Sequence, residues 1–339
     1  MKKSNFRKLL VVLFTLAMCT VLVAGCGKST PSAADDNQPV QFKIGHCTWV
    51  GYGPLYIAQE KGFFKKHNID PEMVIIEDES QYAAAITANK IQALGNVVDR
   101  EIIHYANGAP IRFVCGMDQS YGGDGIIASG DIKTVKDLEG KTIGLDKAST
   151  SYFFFLAILD KNGVDENKIK IQEMTAGDAG AAFVAGKLDA AVAWEPWLTK
   201  ASQRQGGHVL VSSRDFPGII VDVISMRQDF IEQHPEAVQG LVDSWNEAVA
   251  YYKEHPAEGN QIMAKALSLS EKEVADMAGG VKFMGSQENS DFFNPALSSD
   301  TLFHLTGMAS RFWVDKGVIS QEVDPQKIIE TKFTTAKSK

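Results

Sequence analysis

The sequence predicts an α/β protein in two lobes, each a mostly parallel sheet flanked by helices. Three observations carry this. From Val40 onward, strand-like runs alternate with helical stretches of about 10–15 residues, the pattern of parallel strands joined by crossover helices. The alternation starts afresh near Gly125. The chain, at 339 residues, is also longer than one core usually organises.

In the first series, VQFKIGHC (residues 40–47) is a strand. A helix over 54–67 follows, with Pro54 in its first turn and Leu55, Ile57, Ala58, Phe63 and Phe64 for a buried face. Residues 71–76 are a strand, Ser80 caps a helix through Lys90, and 91–97 is a third strand followed by a helix through Asn107. Residues 111–117 are a fourth strand. The second series runs as strand 125–128, short helix 135–138, strand 142–145, helix to Asn162 capped by Ser149, and strand 169–173. It continues with helix 178–185, strand 190–193, a helix after Pro196, strand 208–211 and a strong strand over 218–226. Beyond it, 235–255, 257–267 and 298–316 show apolar residues at three- and four-residue steps, the helical spacing.

The N-terminus predicts export. Lys2, Lys3, Arg7 and Lys8 precede an apolar run from Leu9 to Val23, followed by Val23-Ala24-Gly25-Cys26. This is the build of a secretory signal over residues 1–25; the run falls short of the ~20 residues a membrane span needs. A cysteine directly after Val-Ala-Gly resembles the lipobox of bacterial lipoproteins, which implies cleavage before Cys26 and a lipid on that residue. Residues 26–39, rich in small and polar side chains, form a flexible tether with a reach of roughly 20 Å. The expected location is extracytoplasmic, lipid-anchored to the cell membrane.

Composition excludes some functions. The net charge of −8 becomes −12 without the four basic residues of the signal, so the body carries no electrostatic footprint for nucleic acid. Cys47 and Cys115, in separate strand-like runs, are expected as two buried thiols, and their spacing fits no zinc pattern; neither metal nor cofactor is expected. Two Gly-Lys-Thr/Ser triplets, at 27–29 and 140–142, lack the upstream glycine of a phosphate loop, since Leu22 and Val135 stand there. No HExxH or GxSxG occurs, so a binder is expected rather than an enzyme.

Polar and aromatic clusters stand at strand ends, where open parallel sheets bind ligands. They comprise Thr48-Trp49-Val50-Gly51-Tyr52-Gly53, Asn96 with Asp99, Asp118 to Tyr121, Ala148 to Tyr152, and Trp194-Glu195-Pro196-Trp197. Gly51 and Gly53 suit close approach of backbone to a ligand. Helix starts among these clusters offer free amide donors to an oxyanion.

The segments WVGYGPLYIAQEKGFFKKHNIDPEMVIIED, DQSYGGDGIIASGDIKTVKDLEGKTIGL, AGKLDAAVAWEPWLTKA and VDVISMRQDFIEQHPEAV resemble solute-binding proteins of the nitrate/sulfonate/taurine group of ABC importers. The resemblance covers most of residues 41–250. It implies a type II periplasmic-binding-protein fold with a two-strand hinge, lobe 1 holding 40–123 and 225–339 and lobe 2 holding 124–224. It also implies a monomer that delivers a small solute to a membrane permease and its ATPase. The matching positions imply substrate contacts from Trp49, Tyr52, Gln81, Asn96, Asp118, Tyr121, Thr150, Ser151, Trp194, Glu195 and Asp222. Asp118 and Asp222 are equally suited to stabilising the hinge. The carboxylates among these positions, with Arg100 as the nearby basic residue, disfavour a bare anion and favour a solute with a cationic or donor-rich end. Taurine, or another sulfonate bearing an amine, is the leading expectation; a thiamine-precursor pyrimidine is the next. A ligand-presenting sensor subunit and a pyrimidine-synthase-like enzyme are the rival classes, and the enzyme lacks its cysteine-rich segment here.

Overall fold

The computed structural model describes residues 38–297 and 299–334. The signal segment, Cys26 and most of the expected tether lie outside the described residues. Among those described, the strands are β1 (Val40–His46), β2 (Ile69–Ile75), β3 (Ala93–Val97), β4 (Ile111–Ser120), β5 (Asp124–Ser129), β6 (Thr142–Leu145), β7 (Lys170–Glu173), β8 (Ala190–Trp194), β9 (Gly207–Ser212), β10 (Val221–Arg227) and β11 (Val281–Phe283).

They form a six-stranded sheet in the order β2-β1-β3-β10-β4-β11 and a five-stranded sheet in the order β7-β6-β8-β5-β9. The two orders are the same pattern. In β2-β1-β3-β10-β4 as in β7-β6-β8-β5-β9, co-directional strands have one antiparallel strand inserted before the last, β10 between β3 and β4 and β5 between β8 and β9; β11 adds an antiparallel edge to β4 in the larger sheet. Each inserted strand is the segment that has just crossed from the other sheet. The sequence shows no repeat, because the pattern depends on apolar periodicity and chain direction rather than on residue identity.

The first crossing is residues 121–123, with Gly122 at φ +113. The second is residues 213–220, where the turn Ser213–Asp215 and Gly218 at φ +82 hold back the next strand until Val221. A lobe boundary at 224/225 therefore falls inside a strand: Val221 to Ile224 already pair with β4 of the six-stranded sheet. The buried Ser213 ties the crossings together; its hydroxyl oxygen accepts from the Gly122 amide at 2.7 Å and meets Ser120 Oγ at 2.7 Å.

Helices Gly53–Glu60, Pro235–Glu254 and Pro256–Leu267 cover one face of the six-stranded sheet, burying Leu55, Ile57, Trp245 and Met263. Helices Val98–Ala106 and Leu302–Asp315 cover the other, around Phe113 and Trp313. Helix Thr150–Lys161 reads TSYFFFLAILDK, apolar nearly all round, which requires burial on more than one side. Phe154, Phe155 and Ile158 fill the five-stranded sheet's core, while Phe153 packs on Trp313 with ring centroids 5.6 Å apart.

Several expected elements are shorter or split. The helix over 54–67 is two, Gly53–Glu60 and Phe63–Lys66, because Gly62 turns left-handed at φ +74. The helix expected from Ser80 is Tyr82–Thr87, since Asp78 caps a preceding turn by accepting from the Ser80 amide. The last long helix starts at Leu302 under a Thr301 cap; Ser298, its expected start, lies outside the described residues. Helices Gln228–Gln233, Glu271–Ala278 and Ser286–Phe292 and strand β11 are too short to announce themselves by periodicity. Cys47 and Cys115 are free and buried. No helix among the described residues is long and apolar enough to cross a membrane.

Candidate functional site

The carboxyl ends of β1, β3 and β8 and the amino ends of the inserted β5 and β10 meet between the two sheets. A small cavity of about 30 Å³ lies there. Trp49, Tyr52, Asn96 and Asp222 line it from the six-stranded half, and Thr150 and Trp194 from the five-stranded half. These six are among the eleven positions expected from the sequence. Cys47, Glu79, Val97, Asp124 and Ile220 also line it and were not among those positions.

The aromatic wall after β1 rests on two carboxyl groups. Trp49 Nε1 donates to Asp118 Oδ1 at 3.2 Å, and the Tyr52 hydroxyl donates to Asp222 Oδ1. Asp118 and Asp222 face each other in register across β4 and β10. Asp118 does not line the cavity; it stands behind Trp49 and fixes the indole. Gly51 makes this possible, because a Cβ there would stand 2.0 Å from Asp118 Oδ2 and 2.3 Å from Trp49 Nε1. A Cβ at Gly53 would stand 2.1 Å from Met263 Sδ. Both glycines therefore admit side chains of the protein itself, which corrects the expectation that they bring backbone to a ligand.

Four other expected contacts point elsewhere. Gln81 is exposed and donates to Asp78 Oδ2 at 3.0 Å. Tyr121 is half-buried on the far side of the first crossing, with Lys282 Nζ 3.5 Å from its ring centroid. Glu195 caps the helix Trp197–Ser202, accepting from the Thr199 amide at 3.0 Å and its hydroxyl at 2.6 Å. Ser151 is buried beside the cavity without lining it, and its Oγ has no partner. Asn96 is held from behind: its Nδ2 donates to the buried Glu101 at 2.7 Å, and its Oδ1 accepts from the Val97 amide at 2.9 Å.

The electrostatics are one-sided. Glu79, Asp124 and Asp222 line the cavity, and no lysine or arginine does. Burial pushes Asp124 and Asp222 up to about 7, each raised further by neighbouring carboxylates. Burial pushes Glu79, part-buried at the edge, up to about 8 against the pull of Arg100. Asp99, just beyond the lining, rises to about 6 through burial, opposed by Arg100 and by the Thr150 hydrogen bond. Burial holds Asp118 well above the usual carboxylate range, and Asp222 adds to it. Desolvation lowers His46, packed behind Tyr52, so this imidazole supplies no balancing charge. In their ionised form these carboxyl groups would repel an anion and stabilise an ammonium, guanidinium or ring N–H in a dry pocket, as the aromatic faces would, whereas each protonated carboxyl offers an O–H donor. Among the described residues no cluster of His, Cys, Asp and Glu could hold a metal ion.

Residues 49–259 match the family model described as NMT1/THI5 like. A Bacillus subtilis (strain 168) protein named for aliphatic sulfonate binding is 26% identical over 334 residues, covering 95% of each chain. The crystal structure of the Escherichia coli periplasmic aliphatic sulphonate binding protein superposes with a TM-score of 0.72 at 20% identity, covering 86% of this chain and 98% of that one. The periplasmic nitrate-binding protein of Synechocystis PCC 6803 gives a TM-score of 0.67 at 16% identity, covering 87% of each. The fold is that of periplasmic binding proteins, as the sequence resemblance implied. All three similar proteins are named for binding, in line with a binder rather than an enzyme.

Proposed function

Because the chain belongs to the NMT1/THI5 like family, we propose that it is the extracytoplasmic solute-binding component of an ABC importer for a small organic solute with a cationic or donor-rich end. The supporting observation is the cavity itself: three aromatic residues and three carboxyl-bearing residues face it from two halves, with no basic side chain among them. Solute enters between the halves, contacts both, and is buried when they close about the crossings at 121–123 and 213–220. Stacking on Trp49 and Trp194 and hydrogen bonds to Asp222 and Asp124 suffice for micromolar affinity, about −8 kcal/mol. The sulfonate names of its relatives carry over as an organic solute of similar size, and an amine-bearing molecule fits these carboxyls better than a bare sulfonate. The closed form hands its cargo to a permease.

Calorimetric titration with taurine, alkanesulfonates, nitrate, aminopyrimidines and guanidinium tests this. Binding is expected among the nitrogen-bearing cations and donors; tight nitrate binding with no response to amines contradicts it. The lipobox-like Val23-Ala24-Gly25-Cys26 supports an anchored protein. Cys26→Ala is then expected to shift the protein from the membrane fraction to the soluble one, and unchanged membrane retention argues against the lipid.

A further inference from the structure

Resting on the reading of the cleft as a site for a cationic or donor-rich solute, we propose that Asp99 is the residue that sets the solute's charge, standing as a built-in counter-anion at the start of helix Thr150–Lys161 and excluding free oxyanions from it. That helix is 12 residues long, Thr150 at its start lines the cavity, and the Ser149 hydroxyl accepts from the Ser151 amide at 3.3 Å. Such a start ordinarily attracts sulfonate, phosphate or carboxylate. Here the place is taken from across the cleft. Asp99, in the first turn of helix Val98–Ala106, accepts the Thr150 hydroxyl proton on Oδ1 at 2.9 Å. Thr150 lines the cavity, yet its one proton is committed to the protein's own carboxylate.

The second oxygen is the independent sign of a ligand. Asp99 is 1% exposed, and its Oδ2 has no hydrogen-bond partner. A buried carboxylate oxygen left empty is costly, and a donor arriving with the solute relieves that cost. Its neighbours Val97 and Thr150 both line the cavity. Asp99 also adds to the field felt by Glu79, Asp124 and Asp222, which makes it part of the same electrostatic cluster. A free oxyanion at this helix start meets Asp99 first, whereas an ammonium or guanidinium N–H finds an acceptor. A role confined to capping its own helix would leave solute charge preference untouched.

The test uses the full chain near neutral pH, with methylguanidinium and ethanesulfonate as probes in calorimetry. Wild type is expected to take methylguanidinium and ignore ethanesulfonate. In Asp99→Asn and Asp99→Ser, methylguanidinium binding is expected to weaken by about tenfold or more, a change of ~1.4 kcal/mol, and ethanesulfonate binding to appear. Ethanesulfonate binding by wild type overturns the proposal without any variant, so misfolding of a variant does not shelter it. Folded variants that stay silent to ethanesulfonate overturn it as well. If wild type ignores methylguanidinium while the variants gain ethanesulfonate, the cationic-solute reading falls and the role of Asp99 stands. If wild type binds methylguanidinium and the variants change neither response, Asp99 falls and that reading stands.

Discussion

Replacing Gly51 by alanine is expected to abolish solute capture and to lower the melting temperature. The added methyl would stand 2.0 Å from Asp118 Oδ2 and 2.3 Å from Trp49 Nε1, closer than any real contact. Neither neighbour can give way easily. Asp118 is fully buried on β4 opposite Asp222, and the Trp49 ring is packed so that a Cβ at Gly123 would stand 2.5 Å from its Cη2. The indole must leave Asp118, stranding a buried carboxyl group and removing one wall of the cavity. Overpacking of this kind costs about 1–3 kcal/mol before the lost hydrogen bond is counted. Thermal melting and titration of the best-binding solute check both effects. Wild-type affinity in Gly51→Ala would mean that the Trp49–Asp118 pair is not part of the binding apparatus.

Raising the pH from ~4 to ~8 is expected to destabilise the unliganded protein, and Asp222→Asn is expected to remove part of that dependence. Asp222 and Asp124 titrate near 7 and Glu79 near 8 in the folded chain, against about 3.9 for Asp and 4.3 for Glu when unfolded. Between those limits the folded state holds more protons than the unfolded one, so stability falls as pH rises through the window and levels off above it. Below ~4 both states are protonated and these groups contribute no slope. His46 works the other way below its ordinary value, because burial keeps it neutral while the unfolded chain takes up a proton. The comparison of Asp222→Asn with wild type isolates the carboxyl contribution from it. Chemical denaturation at intervals across the window reads the slope, and parallel curves for the two proteins would refute the assignment. The same logic gives a binding consequence. A cationic solute replaces protons in the cavity, so its affinity rises with pH across this range.

The two-sheet design was legible because strand-helix alternation restarts after Gly122-Gly123, and the chain direction then dictates which strand ends face the gap. Trp49, Tyr52, Asn96, Thr150 and Trp194 stand in the strand-end clusters that this rule picks out, Asp222 was implied only by the family resemblance, and all six line the cavity. The misses have local causes. Along β4, alternation puts Asp118 and Ser120 inward and Gln119 outward, and Tyr121 continues the outward phase toward Arg214 and Lys282. Gln81 and Glu195 each sit beside a competing local partner, Asp78 and Thr199, and short-range capping wins over a reach into the cleft. Glu79 lies in a turn too short to show a period. Asp124 could have been found: it opens an antiparallel inserted strand, whose amino end shares the cleft with the carboxyl ends of its neighbours. The boundary expected at 224/225 lies four residues into β10, because VDVIS reads equally well as the end of one series and the start of the next; only the pairing of Val221 to Ile224 with β4 decides it.

Native mass spectrometry of the protein purified without added ligand tests the cavity most directly, followed by identification of whatever small molecule is released on unfolding. The account predicts a compact organic molecule carrying an amine, amidine or protonated ring nitrogen, retained by wild type and lost from Gly51→Ala and Asp222→Asn. Recovery of nitrate or a nitrogen-free sulfonate, or equal retention by both variants, would contradict it.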